Sequence, residues 1–344
     1  MNIELLNLKR YLSILQYVLF LGGGLFLVWW QLRIMTPEQV TEFYGAFKQA
    51  NYWLVIPVVF MVLLSHLSRA MRWKLLLEQL GYHPKLKNMF SVTMVGYLAN
   101  AAIPRLGEIL KCTFLSRYEK LKVDKLVGTI IVERTFDLFC YLLFIAITVL
   151  SQISLVSNFV KKQFAFLFHP GTMPYWLGGI IVLLLLLKFF FRKYPNNKFL
   201  IKVKSFFMGM AEGFKTIVNL KKRKQFIFHT IFIWSMYLLQ ILLGFQAMQG
   251  TSHLGIDAAS SVLMMATLAM IITPNGIGIF PPFVMDTLLL YGISGPTGKA
   301  FGWLIWSVST GIIIVVGLIC LTILPYINRK KNEISQQYPV QDIQ

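Results

Sequence analysis

Acidic residues are scarce in this chain: 14 Asp and Glu stand against 33 Lys and Arg in 344 residues. A metal-dependent transferase or a carboxylate-driven hydrolase needs at least a paired set of acids, and no D-x-D, H-E-x-x-H or G-x-S-x-G pattern occurs. The phosphate loop G-x-x-x-x-G-K-[ST] is absent too, which excludes ATP hydrolysis by a P-loop in this sequence. Three isolated cysteines, Cys112, Cys140 and Cys320, give no disulfide framework, and five scattered histidines give no metal-ligand spacing. No cofactor is therefore expected. Charged residues of either sign make up only 14% of the chain, too few for the surface of a soluble globular protein.

Apolar residues take their place. They form 56% of the chain, with a mean hydropathy of +0.64, which marks an integral membrane protein. Runs of about 20 residues, at about 1.5 Å per residue, match a hydrocarbon core of about 30 Å. Full spans are expected at residues 11–32, 50–68, 126–150, 174–191, 226–248 and 300–327. The first run follows Lys9 and Arg10 as a signal peptide would, but it ends in Trp29, Trp30 and Gln31 without a small-residue cleavage pattern, which favours a retained anchor.

Two further apolar regions, 88–116 and 258–292, are broken in the middle. The first break is NAAIPRLGE, Asn100 to Glu108; the second is TPNGIGIFPP, Thr273 to Pro282. With the N-terminus cytoplasmic, 26 of the 33 basic residues fall on the cytoplasmic side if region 88–116 enters and leaves there and region 258–292 enters and leaves on the outer face. Simple loops between short spans are the alternative. The hairpin account makes two halves with the same order of elements and opposite orientation. From Trp53 to Pro104 is 51 residues and from Phe226 to Pro274 is 48, so the breaks also sit at matching distances. The expected fold is all-α: a polytopic helical membrane protein with six full spans and two re-entrant hairpins in an inverted repeat. Residues 1–160 form the first half-repeat, 161–330 the second and 331–344 a short cytoplasmic tail, in the cell inner (cytoplasmic) membrane with both termini cytoplasmic. The basic run Lys221 to Lys224 directly precedes a span, so anionic headgroups or simple orientation explain it, and no nucleic-acid partner is expected.

Polar groups at membrane depth are the candidate site. Glu133, Arg134 and Asp137 interrupt the 126–150 run; counted from Lys125, Glu133 lies about 12 Å and Asp137 about 18 Å in. Glu133 and Asp137 share a helix face. Either Arg134 and Asp137 pair internally beside a hydrated Glu133, or this face meets the first hairpin, where Arg105 and Glu108 complete a polar cluster. Pro104 fits the opening turn of a returning helix, whose free amides and positive dipole end, with Arg105, offer a phosphate seat; the alternative is a salt bridge from Arg105 to Glu108 or Asp137 that locks the hairpin. Arg69 and Arg72 form a basic lip at the cytoplasmic end of the second span or act as orientation signals. Gly276 and Gly278 serve tight turns in the second break, where a structural role is the stronger reading.

Together N-x-x-x-P-x-R-x-G-E at Asn100 to Glu108, E-R-x-x-D at Glu133 to Asp137 and P-x-G-x-G at Pro274 to Gly278 resemble the transmembrane family of lysylphosphatidylglycerol synthase, also called the flippase-like or UPF0104 family. The resemblance covers nearly the whole chain. It implies a lipid translocator that moves an anionic or polyprenyl-linked lipid without ATP, with Asn100, Pro104, Arg105, Gly107, Glu108, Thr273, Pro274, Gly276 and Gly278 among the substrate-binding residues. In the multiple peptide resistance factor such a domain precedes a soluble aminoacyl transferase. Here the sequence stops shortly after the last span, so lysyl transfer is not expected and a partner transferase is the implied companion. Where the family often carries an acid after the glycine-rich break, this chain has Pro281 and Pro282, and Asp286 follows one turn later. The competing readings are a membrane glycosyl or aminoacyl transferase on a lipid carrier, and a scaffold for such an enzyme.

Overall fold

The computed structural model describes residues 33–103, 105–153 and 215–329, with single positions between 22 and 31 and between 174 and 213. Every regular element among the described residues is helical. The expected spans 11–32 and 174–191 and the tail 331–344 lie almost wholly outside them.

The chain divides into two compact units, residues 1–130 with 220–344, and residues 131–219. In the first, a helix opens where the apolar runs suggest only a loop: α1, Pro37–Lys48. Its start was legible in Thr36-Pro-Glu-Gln39. The Thr36 hydroxyl accepts from the Gln39 amide at 3.3 Å, the Gln39 side chain accepts from the Thr36 amide at 3.1 Å, and Pro37 fills the first helical position.

A single 3-10 turn at Tyr52–Leu54 leads into α2, Val55–Gln79. The helix runs past the expected span end at residue 68: with the 3-10 turn it covers Tyr52–Gln79, 28 residues. Hydropathy stops at Ser68 and Arg69, but the helix continues because Ser68, Arg72, Trp73 and Leu75 to Leu77 are buried. Of these, Ser68 and Arg72 meet His229 and Thr230 of α6, Arg223–Ala247, which pairs along α2. At one end the Asn51 amide donates to the Ala247 carbonyl at 2.8 Å; at the other Lys222 meets Glu78 at 2.7 Å. The two helices are therefore antiparallel.

Each broken region folds back on itself. Helices α3, Leu86–Ala102, and α4, Leu106–Glu119, pack together, as do α7, Ile256–Ile272, and α8, Phe280–Leu289, which a 3-10 turn at Pro274–Gly276 separates. The two pairs open at opposite ends of the unit. Glu119 closes the first, accepting from the Lys85 amide at 3.2 Å and from the side chain of Asn88, the partner of Asn328. Tyr291 closes the second at the end where α1 lies, with its hydroxyl 2.8 Å from that of Ser261 and 3.2 Å from the Asp257 carbonyl. Between these ends, α3 lies against the Pro274–Gly276 turn.

The longest helix, α9, covers Gly295–Ile327; its 33 residues extend about 50 Å. It begins five residues before the expected 300, capped by the Ser294 hydroxyl, which accepts from the Thr297 amide at 3.4 Å. Lipid tails supply no hydrophobic drive between helices, so close backbone approach and polar pairs carry the packing. At Gly317 an added Cβ would come within 2.8 Å of Leu98 Cβ on α3. Asn88 and Asn328, both buried, exchange side-chain hydrogen bonds at 3.0 Å in each direction. At the opposite end Glu42 of α1 accepts from Ser294 and, at 2.8 Å, from Thr297. Of the described helices, α2 with its 3-10 turn, α6 and α9 are long and apolar enough to cross a membrane.

Helix α5, Val123–Ser151, is continuous over 29 residues and begins in the first unit. Its larger part, with Glu133, Arg134 and Asp137, belongs to the second.

Candidate functional site

Proline dictates the first break. A residue before proline is pushed to extended backbone, and Ile103 has φ −137° and ψ 120°, its amide still bonded to Ala99 at 2.8 Å. Pro104 itself lies outside the described residues. Arg105 then adopts the left-handed conformation, φ 65° and ψ −4°, and α4 opens at Leu106. This corrects the expected helix start at Pro104. It also changes the phosphate seat, because two amides at the start of α4 are already engaged: Leu106 donates to the Ile103 carbonyl at 3.3 Å and Gly107 to the Asn100 side chain at 2.7 Å. Asn100 in turn donates to Glu108 at 3.3 Å. Arg105 is exposed and Glu108 half-buried.

The second break repeats this path. Thr273 is extended, with φ −121° and ψ 151°, and its amide bonds Ala269 at 3.1 Å; Asn275 is left-handed, with φ 53° and ψ 22°. Both first arms, α3 and α7, are 17 residues long, so Ile103, Pro104 and Arg105 correspond in order to Thr273, Pro274 and Asn275. A left-handed residue other than glycine costs roughly 1 to 3 kcal/mol, and both breaks bear it at the same place. Around the second break the Trp306 indole donates to the Asn275 carbonyl at 2.7 Å, Asn275 donates to Thr310 at 2.9 Å, and Gln31 donates to the Gly278 carbonyl at 2.6 Å. Gly276 and Gly278 have φ of 69° and 80°, the turn role expected of them.

Arg69 and Arg72 are not an exposed lip. With α2 continuing to Gln79 they lie inside the helix, and Arg72 is fully buried, donating to Thr230 at 3.2 Å with its guanidinium 5.4 Å from the Phe226 ring. Arg69 donates to the Tyr237 hydroxyl at 3.0 Å and lies 6.0 Å from the Tyr97 ring. Lys111, buried on α4, sits 3.9 Å over Trp73, whose indole donates to Thr129 at 2.9 Å. His66, Tyr97, Tyr237, Lys111 and Trp73 are thus neighbours that the reading of charges and breaks passed over. A signal was present, since His66, Arg69 and Trp73 fall at three- and four-residue spacing on one face of α2.

In the second unit Glu133 is buried, Asp137 half-buried and Arg134 exposed, so the face predicted for Glu133 and Asp137 is the less accessible one. None of the three cysteines forms a disulfide, and among the described residues no cluster of His, Cys, Asp and Glu could hold a metal ion.

Residues 13–334 match the sequence model of the lysylphosphatidylglycerol synthase TM region. A relative described as UPF0104 membrane protein MJ1595, from Methanocaldococcus jannaschii, is 21% identical over 313 residues, covering 82% of this chain and 88% of that protein. No solved structure matches. The family match covers the helix pairs, both breaks and α5, and the chain belongs to the lysylphosphatidylglycerol synthase transmembrane-region family.

Proposed function

We propose that this protein is a lipid translocator that carries an anionic phospholipid or polyprenyl-linked lipid between leaflets without ATP. The observation that carries this reading is the pair of breaks: two 17-residue arms, each ending in an extended residue, a proline position and a left-handed residue, in helix pairs that open at opposite ends. Unwound backbone at membrane depth is tolerated where it faces protein or a water-filled cavity, and repeated breaks of this kind mark substrate paths in transporters. On this reading both helix pairs are re-entrant, the six spans and two hairpins form an inverted repeat, and both termini are cytoplasmic.

The sign of the substrate follows from the polar groups at depth. In the first unit Arg69, Arg72, Arg105 and Lys111 stand against Glu108 around the first helix pair, which suits a negatively charged headgroup. Arg105, exposed at the first break, offers a planar fork to phosphate oxygens.

The test is leaflet exchange in proteoliposomes. Fluorescent anionic phospholipid or polyprenyl phosphate should cross faster with wild-type protein than in empty liposomes, without ATP. Arg105→Lys keeps the charge but loses bidentate geometry and should slow exchange; Arg105→Ala should slow it further. Equal rates for wild type, Arg105→Ala and empty liposomes across a panel of such lipids refute the translocator and favour a transferase or scaffold.

A further inference from the structure

Lys299, in the second turn of α9, is only 7% exposed, yet it makes no hydrogen bond or ion pair among the described residues. A lysine ammonium carries three N–H donors and a full charge, and burying it without a close partner is costly, so it calls for an anionic group. The seam between α8 and α9 brings one acid near. An added Cβ at Gly298 would lie 3.3 Å from Met285 Cα and one at Gly302 2.8 Å from Pro281 Cα, so the two helices run antiparallel in close contact and Lys299 falls beside Asp286. The charges of Lys299 and Asp286 act on each other, but Asp286 is exposed and forms no ion pair with the lysine. One turn further along the same face of α9, Trp303 Nε1 is buried without a hydrogen-bond partner. Its ring is held edge-on to Trp306, with centroids 5.4 Å apart, and the Trp306 indole is already committed to Asn275.

From this geometry we infer that Lys299 and Trp303 form a seat for a phospholipid headgroup that carries both a phosphate and a primary amine, as phosphatidylethanolamine does, with Asp286 at its rim. The ammonium and the indole N–H donate to phosphate oxygens, and the Asp286 carboxylate accepts from the headgroup amine. Charge selects this class. Lys299 and Asp286 together are neutral, so a headgroup with only a negative charge gains the lysine but meets the acid's repulsion, whereas a zwitterion complements both. The other acid near the start of α9, Glu42 of α1, is already engaged by the hydroxyls of Ser294 and Thr297. The seat concerns a second lipid and does not rest on the translocator reading.

Binding is measured on purified full-length protein in neutral detergent, with dihexanoyl phosphatidylethanolamine, phosphatidylcholine and phosphatidylglycerol and with inorganic phosphate as probes. Phosphatidylethanolamine should bind wild type most tightly. Lys299→Met, which keeps the length of the side chain and removes the charge, should weaken it about tenfold or more, as expected for a lost hydrogen bond between charged groups. Trp303→Phe keeps an aromatic ring without the N–H and should weaken it several-fold. Asp286→Asn should abolish the preference for phosphatidylethanolamine over phosphatidylglycerol, because the acid no longer attracts the amine or repels the anion. Lys222→Gln removes a lysine charge at the far end of the unit, beside Glu78, and should leave binding unchanged. Equal binding of free phosphate overturns the lipid assignment, and a preference that survives Asp286→Asn overturns the amine contact. Unchanged phosphatidylethanolamine affinity in folded Lys299→Met, or in Trp303→Phe should the methionine variant not fold, overturns the seat.

Discussion

Gly107→Ala is the sharpest probe of the first helix pair. An alanine Cβ at this position would stand 2.0 Å from the Gly96 carbonyl oxygen and 2.6 Å from Asn100 Cγ. The nearest obstacle is backbone, so no rotamer change relieves it, and α4 must move away from α3 by more than 1 Å to regain ordinary contact. That movement breaks the 2.7 Å bond from the Gly107 amide to Asn100. Overpacking of this kind costs about 1 to 3 kcal/mol, and the buried hydrogen bond about 1 to 3 more. Alanine's better helix propensity returns about 1 kcal/mol, so the net loss is about 1 to 5 kcal/mol. Gly45→Ala is the control: nothing lies within 4 Å of its added Cβ on α1, and the variant should be neutral or slightly stabilised. Thermal unfolding of detergent-solubilised protein, followed by intrinsic fluorescence, reads both. If Gly107→Ala melts with wild type, the close approach of the two arms is wrong, and with it the geometry of the first break.

Cysteine-accessibility labelling in sealed vesicles should place positions near Lys120 and Lys222 on the cytoplasmic side and positions near His253 and Pro296 on the outer side; labelling of Lys120 from outside would mean that region 88–116 crosses the membrane. Asn328→Ala should cost about 1 to 3 kcal/mol by leaving the fully buried Asn88 amide short of a partner, whereas adding Asn88→Ala should cost less than the sum of the two singles. Strictly additive melting shifts would show that the pair does not couple the start of α3 to the end of α9.

What the sequence determined by itself was the class and its punctuation. Apolar runs of membrane length require helices, because only internally bonded backbone survives in lipid. Proline removes an amide and restricts its predecessor, so the breaks at Ile103 to Arg105 and Thr273 to Gly276 could be located from Pro104 and Pro274. The capping signature at Thr36 to Gln39 was equally legible, although a search for long apolar runs passes over an exposed 12-residue helix such as α1. Tertiary structure decided where helices end and which polar groups are buried. Hydropathy treats Arg69 and Arg72 as the edge of a span, yet α2 continues to Gln79 because Tyr237 and Thr230, more than 150 residues away in sequence, accept from them. Asn88 and Asn328, 240 positions apart, each look like a loop residue until α3 and α9 pack. Likewise His66 is one polar residue in an apolar run, and only packing sets its ring 4.9 Å from that of Tyr97 on α3. Local backbone chemistry acts between neighbours and can be read from neighbours, whereas the partner of a buried polar side chain is chosen by packing and exists only once the helices meet.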